Sequence, residues 1–171
     1  MPGSMVPMDT ETDGRHDFDL LHGSWRIHNR RLVAWLQQPG CQEWREYEAL
    51  GEVRPTLGGL GNTDSYSVPT WHDGRGPYEG MTVRIFDPET RLWSIYWGSN
   101  RSGVLEPPVV GRFADGRGEF FNDDVFEGRP IRCRLIWYGI SETSAHWEQA
   151  FSLDDGKTWE TNWYMDMTRP A

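Results

Sequence analysis

Ten tryptophans, nearly all inside short alternating segments bounded by turn residues, constrain this chain of 171 residues more than any other feature. Trp is bulky, favours strands, and presents a flat apolar body with one N–H that needs a partner when buried. Spread along strands beside charged or amide residues, these indoles point to a sheet folded around an aromatic, partly polar interior. Such an interior suits a small planar guest.

The alternation can be followed from end to end. Residues 17–22 read as a short helical turn with Phe18 and Leu21 on one side, ended by Gly23. Residues 24–33 alternate as a first strand and residues 43–54 as a second, which stops before Pro55 and the glycine-rich stretch 57–61. That stretch lacks the G-x-x-x-x-G-K-[ST] pattern of a phosphate cradle and reads as a tight turn. Residues 62–68 follow as a strand, and 81–86 pairs with 92–98 around Asp87-Pro88-Glu89-Thr90. Strands over 109–113, 118–125, 131–138, 145–152 and 159–167 complete the chain.

About ten short strands with no longer helical pattern describe an all-β fold, an up-and-down antiparallel β-barrel with a short N-terminal helical turn. Closure removes the free edges that an open sheet would present. One barrel domain is expected over residues 17–171. Residues 1–16 read as a disordered or expression-derived segment, because Pro2-Gly3-Ser4-Met5 looks like a cloning remnant.

A formal net charge of −9 argues against a nucleic-acid partner, whose phosphates would be repelled. Lys157 is the only lysine, so the cations are almost all Arg, suited to carboxylate pairing and to stacking on aromatic faces; a biased genomic base composition accounts for the same usage. No apolar run approaches the roughly 20 residues of a membrane span, and the start of the chain lacks a signal peptide's apolar stretch, so a cytoplasmic protein without a membrane partner is expected. Cys41 and Cys133 read as free thiols. His28, His72 and His146 are isolated, without metal-ligand spacing, so neither a metal nor a resident cofactor is expected.

Two motifs carry a resemblance. Ser152-Leu153-Asp154-Asp155-Gly156-Lys157-Thr158-Trp159 matches the Asp-box pattern S-x-D-x-G-x-T-W. The resemblance implies a hairpin in which the Asp154 carboxylate accepts bonds from turn amides, Gly156 permits the turn, and Trp159 anchors it. Sialidases carry this motif in repeats, and a single copy here implies the hairpin without glycosidase activity. Gly23-Ser24-Trp25 near one end and Arg169 near the other resemble the calycin or lipocalin arrangement. That likeness implies a closed barrel bottom where Arg169 packs across the Trp25 indole. Residues 17–169 as a whole are similar to an uncharacterised bacterial group of calycin-like proteins, which implies a barrel and no particular activity.

Side chains alternate across a strand, so an inward Trp25 makes Ile27, Asn29 and Arg31 inward. By the same rule an inward Arg169 selects Trp163, Met165 and Met167 and leaves Asn162, Tyr164 and Asp166 outward. Trp147, Gln149 and Phe151 share a face, as do Trp93, Ile95 and Trp97. For the second strand the phase stays open, Trp44, Glu46, Glu48 and Leu50 opposing Arg45, Tyr47 and Ala49. Arg84, Arg132 and Arg134 are cations in apolar strands. They are either outer-face partners of Glu46, Glu48 or Glu148, or inward contacts for an anionic or carbonyl-bearing guest.

The leading expectation is that the barrel binds a small, largely apolar or aromatic molecule, with Trp93, Trp97, Trp147 and Trp163 as walls and Arg84, Arg134, Gln149 and Asn62 as polar contacts. Trp25, Arg169, Asp154, Gly156 and Trp159 are assigned to architecture. Three alternatives remain: an isomerase or cyclase of a small metabolite using a buried Glu46, Glu48 or Glu148; haem binding through His146, as in nitrobindin; and a barrel filled by its own indoles. Trp35 and Trp71, in loops, are rim residues or a homodimer contact.

Overall fold

A computed structural model describes residues 13–71 and 73–171, so His72 and the first twelve positions of the N-terminal segment lie outside the described residues. Ten strands follow one another: β1 (Gly23–Leu32), β2 (Trp44–Thr56), β3 (Gly61–Val68), β4 (Tyr78–Asp87), β5 (Leu92–Ser99), β6 (Val109–Ala114), β7 (Arg117–Phe126), β8 (Arg129–Tyr138), β9 (Ser144–Ser152) and β10 (Glu160–Thr168). Each pairs antiparallel with its neighbours in sequence, and β1 pairs with β10 to close the barrel. Helical structure is confined, among the described residues, to 3-10 turns at Asp19–Leu21 and Leu57–Gly59. None is long and apolar enough to cross a membrane.

The inner faces follow the period-two rule. On β1, Trp25, Ile27 and Asn29 are buried while Arg26 and Arg30 are exposed. On β2 the open phase resolves toward Tyr47, Ala49 and Val53 inside, with Glu46 and Glu48 outside. One place departs from the rule. The register between β9 and β10 shifts between Thr161 and Trp163, so Asn162 and Trp163 together oppose Gln149. A bulge of this kind re-aims a side chain. Asn162, expected outside, is fully buried and accepts a hydrogen bond from Gln149 Nε2 at 3.0 Å.

One end of the barrel is sealed by aromatic packing. The turn before β1 lays Phe18 across the opening, where its ring meets Trp93 and Phe113 edge-on, each at 5.0 Å between centroids. Trp25 Nε1 donates to Leu21 O at 2.6 Å and Trp93 Nε1 to Gly14 O at 3.0 Å, so both buried indole N–H groups are satisfied by the N-terminal segment. Arg169 completes the seal, its guanidinium 3.5 Å from the centre of the Trp25 ring.

At the opposite end, the loops after β1 and β3 bring Trp35 and Trp71 back over the mouth. Trp35 packs against Phe126 and Phe151, and Trp71 against Tyr47 and Tyr78. Leu36 N donates to Glu160 and Leu36 O accepts from Arg129, which ties the first of these loops down. Both indoles are thus partly buried against their own chain.

The 152–159 turn has a closed hydrogen-bond pattern. Asp154 Oδ1 accepts from Ser152 Oγ at 2.7 Å and from Thr158 N at 2.8 Å, while Thr158 Oγ1 donates to Oδ2 at 2.6 Å. Gly156 adopts φ +84, and a side chain there would press on Trp159. Trp159 itself lies on the outside of the wall, 6.2 Å from Phe121 and directly under Arg134.

Candidate functional site

Between the sealed floor and the covered mouth the barrel holds a chamber of about 160 Å³. Trp97 from β5, Trp147 from β9 and Trp163 from β10 wall it, as alternation within each strand requires. Ile95, Val109 and Leu135 add aliphatic surface between them. Trp147 and Trp163 meet edge-on at 5.4 Å, so neither ring is free to turn. Trp163 Nε1 donates to Asn29 Oδ1 at 2.9 Å, the same oxygen that accepts from the Tyr66 hydroxyl at 2.9 Å. Burial pushes the Tyr66 phenol far above its ordinary range, which leaves it a permanent neutral donor. The wall is therefore braced by a satisfied polar network.

Of the other residues singled out from sequence, Arg84 and Gln149 also line the chamber. Arg84 is 3% exposed. It points inward, and the outer-face pairing with Glu46, Glu48 or Glu148 does not occur. Its NH1 donates to Asn62 Oδ1 at 2.8 Å and its NH2 to Asp64 Oδ2 at 2.7 Å. The guanidinium also lies 5.3 Å from the ring centres of both Phe18 and Trp137. Asn62 is consumed by this contact and is absent from the lining.

Trp93 and Arg134 require correction. Trp93 shares its strand face with Trp97 but stands lower, locked in the floor against Phe18 and Phe86 and outside the chamber lining. Alternation assigns a face and says nothing of height along the axis. Arg134 lies on the outer face of β8, because Cys133 and Leu135 take the inner one. There its guanidinium stacks 4.3 Å over the Trp159 ring. Arg132, beside it, covers Phe121 at 5.2 Å and reaches Asp155 at 3.8 Å.

The carboxylates named for acid–base chemistry are also misplaced for it. The side chains of Glu46 and Glu48 are 60% and 58% exposed and embrace His28, whose Nδ1 lies 2.6 Å from Glu48 Oε1. Glu148 lies on the face of β9 opposite Trp147 and Gln149. His146 shares that outer face, with Nδ1 2.6 Å from Asp166 Oδ1 and its ring stacked on Tyr138. It cannot hold a haem inside, and the chamber is too small for a tetrapyrrole. Among the described residues no three His, Cys, Asp or Glu side chains gather in a way that could hold a metal ion.

Several lining residues went unnoticed in the sequence. Asp64 sits in an apparently polar strand, and Asn122 and Asp124, within the strand expected over 118–125, continue the inner face of Phe120 on β7. Trp137 stands on the inner face of β8 with Cys133 and Leu135. Glu106, at the exposed edge of the lining, has its carboxyl raised by partial burial and then by Asp124. Burial, with help from Asp124 and Glu106, pushes the Cys133 thiol up to about 12, which makes it an inert core group.

No protein-family model matches the chain, and no curated protein matches it. Among solved structures, a redesigned β-barrel is similar to it with a TM-score of 0.48 at 13% identity, over 92% of this chain and 96% of that one.

Proposed function

We propose that this protein is a calycin-like barrel that binds a small, single-ring molecule in its interior. The observation that carries the reading is the chamber of about 160 Å³ walled by Trp97, Trp147 and Trp163. An enclosed apolar cavity of about 150 Å³ is enough for benzene, whereas drug-sized ligands occupy about 300 to 1,000 Å³. The barrel's own aromatics thus fill most of the interior and leave room for one ring. The stacking of Arg169 on Trp25, next to a Gly23 with φ +108, supports the calycin likeness.

The test is a titration with toluene, read by calorimetry and by the thermal unfolding midpoint. Saturable binding is expected, with about 2.7 kcal/mol of stabilisation at a hundred times the dissociation constant. Val109→Phe places an extra ring in the chamber and should abolish that binding while the barrel still unfolds cooperatively. An unchanged midpoint at the solubility limit of toluene, together with no heat of binding, would refute the reading.

A further inference from the structure

Three buried polar atoms on chamber-lining residues have no hydrogen-bond partner: Trp137 Nε1, Arg84 Nε and Asn122 Oδ1. Native proteins rarely leave such atoms unpaired, and a cluster of them on one cavity calls for an occupant that pairs with them. The other two such atoms among the described residues, Arg134 Nε and Asn162 Nδ2, belong to residues outside the lining.

The two orphan donors share one region of the chamber. Arg84 Cζ is 5.3 Å from the Trp137 ring centre, and Trp137 is 5% exposed. Arg84 cannot swing to find another acceptor, because its terminal nitrogens are held by Asn62 and Asp64. Its Nε is the one guanidinium nitrogen left without a partner. Asn122 is fixed too. Its Nδ2 donates to Pro107 O at 3.2 Å, and a flipped amide would set oxygen against oxygen. The Oδ1 orphan is therefore an acceptor that needs a donor.

Charge narrows the guest further. Asp64 already neutralises Arg84, and Asp124 and Glu106 add two more carboxyl groups to the lining. An anionic ring entering this chamber would be desolvated beside carboxylates without a free cation to meet it.

We propose that the guest is a neutral single ring bearing a hydroxyl or carbonyl oxygen, which accepts hydrogen bonds from Trp137 Nε1 and Arg84 Nε. A second polar hydrogen on the ring, where there is one, meets Asn122 Oδ1. This rests on the reading of the chamber as a binding site and adds the polarity of what binds there.

Phenol and toluene differ by a hydroxyl in place of a methyl at nearly the same volume, so their comparison isolates the oxygen. Calorimetry on the intact protein at neutral pH should give phenol about ten times the affinity of toluene, and no binding of benzoate. Trp137→Phe keeps a ring and removes the N–H. It should weaken phenol about tenfold and leave toluene within twofold, the toluene arm also reporting that the chamber still forms. In the wild type, phenol and not toluene should move one indole N–H resonance downfield, a readout independent of any variant. Equal affinities for phenol and toluene, or equal losses of both in Trp137→Phe, overturn the polar assignment while the binding site stands. Binding of benzoate as tightly as phenol overturns the charge argument and with it the neutral guest. Failure of both toluene and phenol to bind removes the site itself.

Discussion

The Arg169 guanidinium lies flat over the Trp25 indole at 3.5 Å and also reaches three backbone carbonyls, those of Leu20, Ser24 and Glu142, at 2.9 to 3.0 Å. One side chain from the end of the chain thus holds the N-terminal turn, the start of β1 and the β8–β9 connection together. Gly23 belongs to the same joint, since a Cβ there would come within 3.0 Å of an Arg169 terminal nitrogen.

Removing that side chain should loosen the sealed end. Arg169→Ala is expected to cost about 2 to 3 kcal/mol from lost stacking and charge-assisted hydrogen bonds. For a domain of this size that lowers the unfolding midpoint by about 4 to 12 °C. Arg169→Lys should recover less than half of the loss, because an ammonium cannot both lie on the indole and span three acceptors. Thermal denaturation followed by near-ultraviolet circular dichroism reads this directly, and a shift under 2 °C in the alanine variant contradicts it.

The buried Arg84–Asp64 pair predicts a different signature. Taking away one partner strands a charge in the core, so Asp64→Leu or Arg84→Met alone should each cost about 3 to 5 kcal/mol. Replacing both, as Arg84→Met with Asp64→Leu, should cost clearly less than the sum, since neither leaves an unpaired ion. Urea unfolding of the four proteins gives the cycle, and additive losses would show that the pair is not coupled.

Much of the barrel was legible because local chemistry and pattern agree. Trp25 and Arg169 mark the sealed end, and alternation from Trp147 and Trp97 gives the correct inner faces of β9 and β5. The failures have specific causes. A one-residue bulge before Trp163 carries Asn162 inward, and no local residue type announces it. On β8 the outer face of Arg132 and Arg134 also carries the deeply buried Ile136, opposite Cys133 and Trp137 inside, and this apolar residue on the outer face blurs the phase that places Arg134. The acids of the lining, Asp64 and Asp124, look like solvated residues until the strands across the barrel are in position. Chamber volume is likewise a property of side chains meeting from opposite walls, such as Trp147 on Trp163, and no single strand encodes it.

Trp97 keeps its place because Gly80, diagonal to it on the inner face of β4, has no side chain. A Cβ at Gly80 would collide with the six-membered ring of the Trp97 indole, at Cη2 and Cζ2. Gly80→Ala should therefore force the indole to turn, costing about 1 to 3 kcal/mol. Because Trp97 walls the chamber, toluene affinity should fall at least tenfold in the same variant, whereas an outward change such as Met81→Ala should leave it unchanged. Calorimetry on both separates a chamber effect from general destabilisation; equal affinities in the two variants would sink the idea.

The 152–159 turn should give acid unfolding one of its identifiable parts. The Thr158 hydroxyl, then the Thr158 amide and the Ser152 hydroxyl, hold the Asp154 carboxyl at about 2, below its ordinary 3.8. A folded-state value depressed in this way contributes stability above the unfolded value, and that contribution disappears as pH falls from 3.8 toward 2. Asp154→Ala removes the titration along with the bonds. It should be less stable than the wild type near neutral pH, with the gap between the two midpoints narrowing as pH drops through that window. Thermal unfolding at a series of pH values from neutral to about 2 tests the sign. A gap that stays constant, or widens in acid, would mean that the carboxylate form of Asp154 does not hold the turn.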